Sequence, residues 1–453
     1  MGAQRSDSAD FSRLLPIFAI VSVDVLGLTL ILPLLHLYAA AFGATPLEIG
    51  LVATAFPAGQ IIGLPFMGAL SDRYGRKPLL LLSQITTCLS FLMLAFAEAL
   101  WVVFASRLLD GLFGANLSTA QAAISDLTSE KDRARGLGLI GAAFGIGFLI
   151  GPAIALVMFE LTDQLAMPAI TAAAYSFLSI LLTTFTFRET LPPEKRRRAV
   201  IKRSNLLSVL PYLRRANTRA LLMLMFAQQF VFYGFESLLG VFTLTRLGLL
   251  AQGNAFIFVW VGVILIGVQL GYIGKWTRKY GELRVLRAAL ALLALGLTLT
   301  ALTPQQPHPL YNEREARLYL LAQRPSGTEA VIGSLGVQLP SDAGRGIGGM
   351  LWLMGALVPL AIGAALIRPA INSLLTQRAE GGAYGGVLGA SAAMVSAADA
   401  IAPLWFGALF QAAGSTLPFL LGGAIMAILW LLSHCGSVRQ ATAAQSALSR
   451  FSR

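Results

Sequence analysis

The stretch "LLPIFAIVSVDVLGLTLILPLL", residues 14–35, carries a single charged residue, Asp24. A bilayer has about 30 Å of hydrocarbon, which takes roughly 20 apolar residues to cross as a helix. Stretches of this kind recur along the chain. They lie near 14–37, 47–70, 78–98, 101–123, 136–158 and 167–187, and again near 218–240, 254–274, 284–303, 348–370, 384–409 and 415–434. Hydrocarbon supplies no partner for open backbone groups, so each stretch is expected to be a helix. The balance of residue types agrees: 56% are hydrophobic and 12% charged, about half the charged share of a soluble domain. The expected fold is an all-α, polytopic membrane protein with twelve transmembrane helices in two six-helix pseudo-repeat halves.

The halves are expected at 1–187 and 218–453, joined by a polar linker at 188–217 and with a long outer loop at 304–347 in the second half. With the N-terminus inside, all of the 34 lysines and arginines fall on cytoplasmic segments except Arg107, Arg246, Arg314, Arg317, Arg324 and Arg345. This is the positive-inside pattern, and it places both termini in the cytoplasm of a plasma or bacterial inner membrane. The net charge of +12 is thereby accounted for by loops beside anionic headgroups, "EKRRRAVIKR" among them, and not by nucleic acid. No removable signal peptide is read at the start, and the match of Gly2 and Ser6 to a myristoylation pattern is read as chance. Cys88 and Cys435 read as small apolar packing residues. The three histidines are too scattered for a metal site, and no cofactor or metal is expected. A functional monomer is expected. The outer loop reads as an unconstrained insertion, with a cap over the outer mouth or a partner site as the alternatives.

Against this apolar background, "GALSDRYGRKP" from Gly68 is a dense polar knot, and "GKWTRKYGELR" from Gly274 echoes it. Gly68, Tyr74 and Gly75 correspond to Gly274, Tyr280 and Gly281, each set leaving the second span of its half. Two repeats rocking about a midplane site is the architecture of a secondary transporter.

These residues resemble the major facilitator superfamily, and within it the drug:proton antiporter branch that includes tetracycline exporters. The first knot is similar to the superfamily's loop between helices 2 and 3 through Gly68, Asp72, Gly75, Arg76 and Lys77, with Arg73 inside it. "RLLDGLFGAN" resembles the helix-4 motif through Arg107, Asp110 and Gly111, and "GFLIGPAIA" the helix-5 antiporter motif through Gly147, Gly151 and Pro152. "VDVLGLTLILPLL" and "IRPAINSLLTQ" look like helices 1 and 10 of the tetracycline-exporter group. The chain departs from these patterns in three places. Ala155 and Leu156 follow Pro152 where paired glycines are usual, Asp110 stands where glutamine is frequent, and the third span lacks an acid. The resemblance implies that Asp72 meets the start of helix 11 near Gly381 to Tyr384. It also implies that Arg76 meets Asp126, both contacts latching the halves together. Turn formation alone is the plainer alternative.

Charge at membrane depth is costly and marks function. Four acids qualify: Asp24, Asp110, Glu236 and Asp399. Each is a candidate for carrying a proton or a cationic substrate, with a buried hydrogen-bonding role as the alternative. Arg107 lies one helical turn before Asp110, so the two make either a structural pair or a coupling switch. Aromatics of "QQFVFYGFESLLGVF" and the polar Gln60, Gln228 and Gln229 are candidates for lining a cavity, with helix–helix packing as an equal alternative. Pro152 among glycines is read as a functional bend, with plain close packing as the alternative. The leading reading is proton-coupled efflux of small amphipathic compounds or drugs by alternating access. The alternatives are a facilitator or symporter of a metabolite, or a non-transporting receptor or scaffold. An enzyme is not expected, because the chain has no metal cluster, phosphate loop or nucleophile elbow.

Overall fold

The computed structural model describes residues 14–128, 133–162, 164–196, 210–322, 336–378 and 384–434. Among them twelve helices are long and apolar enough to cross a membrane, and no strand occurs. The protein is an all-α, multi-pass membrane protein. The first span joins α1 (Leu15–Ile31) to α2 (Leu35–Ala41) through a 3-10 turn at Leu32–Leu34, where Pro33 removes a backbone donor. The second and third are α3 (Pro46–Tyr74) and α4 (Arg76–Ala95). The fourth is interrupted, as α5 (Leu100–Phe113) and α6 (Asn116–Leu127). Then come α7 (Arg133–Thr162) and α8 (Ala166–Thr186).

A short α9 (Leu210–Arg214) precedes α10 (Ala216–Leu247) and α11 (Ala251–Gly271), which a short α12 (Ile273–Tyr280) follows. Then come α13 (Glu282–Ala301), α14 (Glu313–Ala322) in the long loop, α15 (Gly348–Gln377), α16 (Tyr384–Ala413) and α17 (Thr416–His434). The echo of the polar knot is carried in the backbone. Gly75 (φ 106°) and Gly281 (φ 80°) both leave the right-handed region. Their N–H groups close equivalent turns on the carbonyls of Ser71 and Thr277. Only glycine adopts such a φ without strain, so the turn chemistry is repeated with the sequence.

The chain divides into one compact unit of residues 1–35 and 58–203 and another of residues 36–57 and 204–453. In the first, α1 packs on α7 and α8, and α4 packs on α5 and α8. Hydroxyls and glycines bring these helices close. The Thr29 hydroxyl lies 2.8 Å from the Gly147 carbonyl, and Gly147 and Gly151 leave no room for a side chain against Val25 and Thr29. Gln84 donates to Ser179 (2.8 Å) and Thr183 (2.9 Å), tying α4 to α8. In lipid such small-residue contacts and interhelical hydrogen bonds are the main source of helix association.

In the second unit α13 packs on α15 and α17, and α10 on α16. The segment of residues 36–57 belongs to it. His36 is buried and fills the space left by Gly240, with Asn254 at 3.2 Å. The Gly50 Cα faces Pro403 and Gly407 with no room for a methyl.

Two expectations are corrected here. The described parts of the long loop are docked, not unconstrained. Tyr311 is buried against Gly248, its hydroxyl donates to the Pro340 carbonyl (2.9 Å), and the His308 N–H bonds Leu247. Buried aromatic area, with its backbone groups paired, outweighs the entropy of the loop. A cavity of about 570 Å³ lies beneath it, lined by Thr245, Gln305, Gln338, Gln411 and Ser415 among others. The second correction concerns Arg368, counted by hydropathy with the loop charges. It lies inside α15, because that helix runs to Gln377. Both termini, Cys435, residues 197–209 of the linker and residues 379–383 lie outside the described residues.

Glycines of α3 separate packing from propensity. A methyl on Gly63 would meet the Leu112 carbonyl carbon at 2.6 Å, whereas one on Gly68 meets nothing within 4 Å. Gly63→Ala is therefore expected to destabilise by about 1–3 kcal/mol through overpacking. Gly68→Ala is expected to be neutral or stabilising by up to about 1 kcal/mol. Thermal unfolding of the two variants in detergent checks this; equal shifts would contradict it.

Candidate functional site

The polar knot between α3 and α4 is organised by Arg76. Its guanidinium donates to Asp126 at 3.0 Å, to Asp72 at 2.7 Å and to Ser71 at 3.0 Å. The Arg76 side chain is 9% exposed, that of Asp126 23% and that of Asp72 62%. A solvated ion pair contributes little, so the Asp126 bond is the stronger of the two. Lys77 donates to the Thr184 carbonyl (2.7 Å), and Arg73 lies over the Tyr74 ring. Asp72 thus has a partner four residues on, across the Gly75 turn, and most of the expected contact near Gly381 to Tyr384 falls on residues 381–383, outside those described.

Sequence reasoning missed Glu189. It accepts from the backbone N–H groups of Arg76 (2.8 Å) and Lys77 (3.1 Å), the open amino end of α4, and from Leu191 (3.0 Å). A carboxylate suits that position because the helix end carries partial positive charge. Burial works against its charge, but the N–H groups of Leu191, Arg76 and Lys77 and the Arg196 guanidinium outweigh burial. They hold the carboxyl below its usual 4.5.

In the first unit the interrupted fourth span positions the acids. α5 stops at Phe113, the Ala115 N–H is taken by the Ser83 hydroxyl (2.8 Å), and α6 restarts at Asn116. Breaks of this kind at membrane depth are tolerated only where side chains re-satisfy the freed backbone. The restart puts the Asn116 amide 2.9 Å from the Asp24 carboxylate. The Asn116 carbonyl oxygen is buried with no hydrogen-bond partner among the described residues. Asp110 and Arg107 are each 3% exposed and stand 3.5 Å apart. Thr87 donates to Asp110 (2.8 Å), and Arg107 donates to Ser90 (2.9 Å) and lies over the Phe91 ring. Asp24 and Asp110 interact electrostatically. On α7, Gly147 and Gly151 face α1 at Val25, Thr29 and Leu30, next to Asp24 in sequence, and Pro152 follows Gly151.

In the second unit Gln229 donates to Asp399 at 2.6 Å, joining α10 to α16. Glu236 stands on the same face of α10, seven residues on, and interacts with Asp399 and with Arg368 of α15. In sequence Arg368 was quoted as part of a helix-10 pattern and counted with the loop charges, although the span read as 348–370 already contained it. Gln228, expected along a cavity, is instead 1% exposed and turned onto Met225. The expected aromatic lining divides. Phe230 packs on Trp405 and Phe406, and Phe235 and Phe242 pack on Phe419.

Twelve spans, acids and arginines at membrane depth, and a repeated charged turn define a membrane transporter. A family model described as Major Facilitator Superfamily matches residues 17–312, and the chain belongs to that superfamily. It is 37% identical over 174 residues to the class B tetracycline resistance protein of Escherichia coli, which is 38% of this chain and 43% of that protein. That match therefore spans less than half of the relative's length. The class C tetracycline resistance protein of Escherichia coli is 26% identical over 424 residues, 91% of this chain and 94% of that protein. Among solved structures, the human organic anion transporter MFSD10 (TETRAN) shares the fold. Its TM-score is 0.65 at 22% identity, covering 94% of this chain and 100% of that one.

The Glu189 carboxyl gives a pH-dependent test of the knot. Its folded value is the depressed one, so its stabilisation is fully present above 4.5 and is lost as the pH falls through the lower folded value. Glu189→Gln is expected to lower stability at pH 7 by about 0.5–2 kcal/mol, as for loss of a helix cap. The gap to the parent protein should shrink on acidification below 4.5. Thermal unfolding across that range reads it; a constant gap would assign Glu189 a packing role only.

Proposed function

We propose that the protein exports small amphipathic compounds in exchange for protons, by alternating access of its two six-helix halves, residues 1–187 and 218–453. The observation that carries the reading is the pairing of Asp24 with Asn116 at a break in the fourth span. A carboxylate held by one neutral amide, beside a second acid, can exchange a proton for a cationic group without unfolding its surroundings. The resemblance to tetracycline resistance proteins supports export as the direction. In this reading Asp110 and Arg107 couple protonation to helix movement, while Arg76, Asp126, Asp72 and Glu189 form a latch at the cytoplasmic face. Both termini lie on that side, and the monomer is the working unit.

The test is accumulation by inverted membrane vesicles under an imposed pH gradient, with a panel of drugs and metabolites. The parent protein should drive uptake of at least one amphipathic compound, and Asp24→Asn should abolish that uptake while membrane insertion is unchanged. Asp72→Asn should slow it. Transport equal in both variants and indifferent to the gradient would favour a facilitator over an exchanger.

A further inference from the structure

The second unit holds donors and acceptors that proton exchange alone does not use. Arg368 lies in α15 roughly 13 Å of helical rise before its last residue. Its side chain is exposed, and among the described residues no hydrogen bond or ion pair engages it. A guanidinium facing hydrocarbon at that depth is strongly disfavoured. Its field reaches Glu236 on α10 and Asp399 on α16, and both of those helices pack on α15. One turn along α15, Asn372 accepts from Ser391 of α16 (3.0 Å), which continues the polar stripe.

The acids are under-used in the opposite sense. Gln229 is 5% exposed and spends its amide N–H on Asp399, while its amide oxygen is buried with no partner among the described residues. That leaves an unpaired acceptor beside a carboxylate, with Glu236 on the same helix face and Tyr233 between them. The unfilled acceptors ask for a cationic N–H group. The unfilled fork of Arg368 asks for a planar oxyanion, which it can grip with two parallel hydrogen bonds. A simple anion would meet two carboxylates, and a simple cation would meet the guanidinium and leave its donors empty.

We propose that the substrate is an amphipathic zwitterion. Its cationic nitrogen sits on Asp399, Glu236 and the Gln229 amide oxygen, and its carboxylate or similar oxyanion sits on Arg368. This rests on the proposed exchange of protons for a cationic group and adds Asp399 and Glu236 to Asp24 as acids that meet that group. It deepens that reading, since protonation of the acids expels the cationic end while Arg368 keeps the oxyanion oriented.

The test is equilibrium binding to the purified full-length protein in detergent, with no pH gradient. Three probes share one aromatic body: naphthylalanine, its methyl ester and its N-acetyl derivative, respectively zwitterion, cation and anion. The parent protein should bind the zwitterion at least about tenfold more tightly than either derivative. Arg368→Gln should remove the advantage over the ester. Arg368→Lys, which keeps the charge but loses the fork, should retain only part of it and serves as the conservative variant if the glutamine protein unfolds. Equal binding of the three probes, no binding of any, or a preference untouched by both substitutions would overturn the proposal. A protein that prefers the zwitterion but shows no gradient-driven uptake would retire proton exchange and leave this assignment standing. Gradient-driven uptake without charge preference would do the reverse.

Discussion

Hydrocarbon answers no charge, so each ionic group carried into the membrane has to be met by the protein or by what the protein carries. That single constraint orders the structure. Arg107 enters with an acid one turn away, a serine and an aromatic face. Arg246 enters near the end of α10 and is spent on Ser415, Thr416 and the Thr303 carbonyl. Asp24 has Asn116, and Asp399 has Gln229. Where the chain runs back into water, the density of charge rises at once, and the Arg76 knot is the result.

The same constraint explains the glycines. With lipid as apolar as leucine, helices gain by close approach and by hydrogen bonds between them, not by hiding apolar surface. Thr29 reaches the Gly147 carbonyl because Gly147 and Gly151 carry no side chains. The contact lies one turn along α1 from Asp24. Pro152, following Gly151, removes a backbone bond of α7 close to that contact. Helix packing and the candidate proton site are therefore the same piece of structure, and a change of packing there is a change in the surroundings of Asp24.

Hydropathy alone was enough to read the twelve spans, because crossing hydrocarbon demands a length and polarity that few other structures share. It failed where side chains, not the backbone, choose the position. Arg368 fell inside the tenth span as read, 348–370, yet was grouped with loop charges because it stood near the end of that span, whereas α15 continues to Gln377. The Arg76 knot was visible because its members Ser71, Asp72 and Arg76 are neighbours in sequence. Glu189 was not, since it arrives from 113 residues away and bonds only backbone groups that carry no residue identity. Asn116 was hidden by the apolar continuity of its span. The break that aims it depends on Ser83, which lies on another helix. The docking of the long loop on Gly248 through Tyr311 left no periodic trace to read.

A difference between the two units follows from which charges are already met. In the first, Asp110 is closed in by Arg107 and Thr87, and Asp24 is held by one amide. Its arginine is paired within the unit, while the Asn116 side-chain oxygen beside Asp24 has no partner among the described residues. In the second, Arg368 is exposed, and the Gln229 oxygen has no partner among the described residues. Unmet donors and acceptors at membrane depth are costly to keep unless a ligand completes them. In the proposed function, proton coupling falls to the unit whose buried arginine is already paired, and recognition to the unit whose arginine is not.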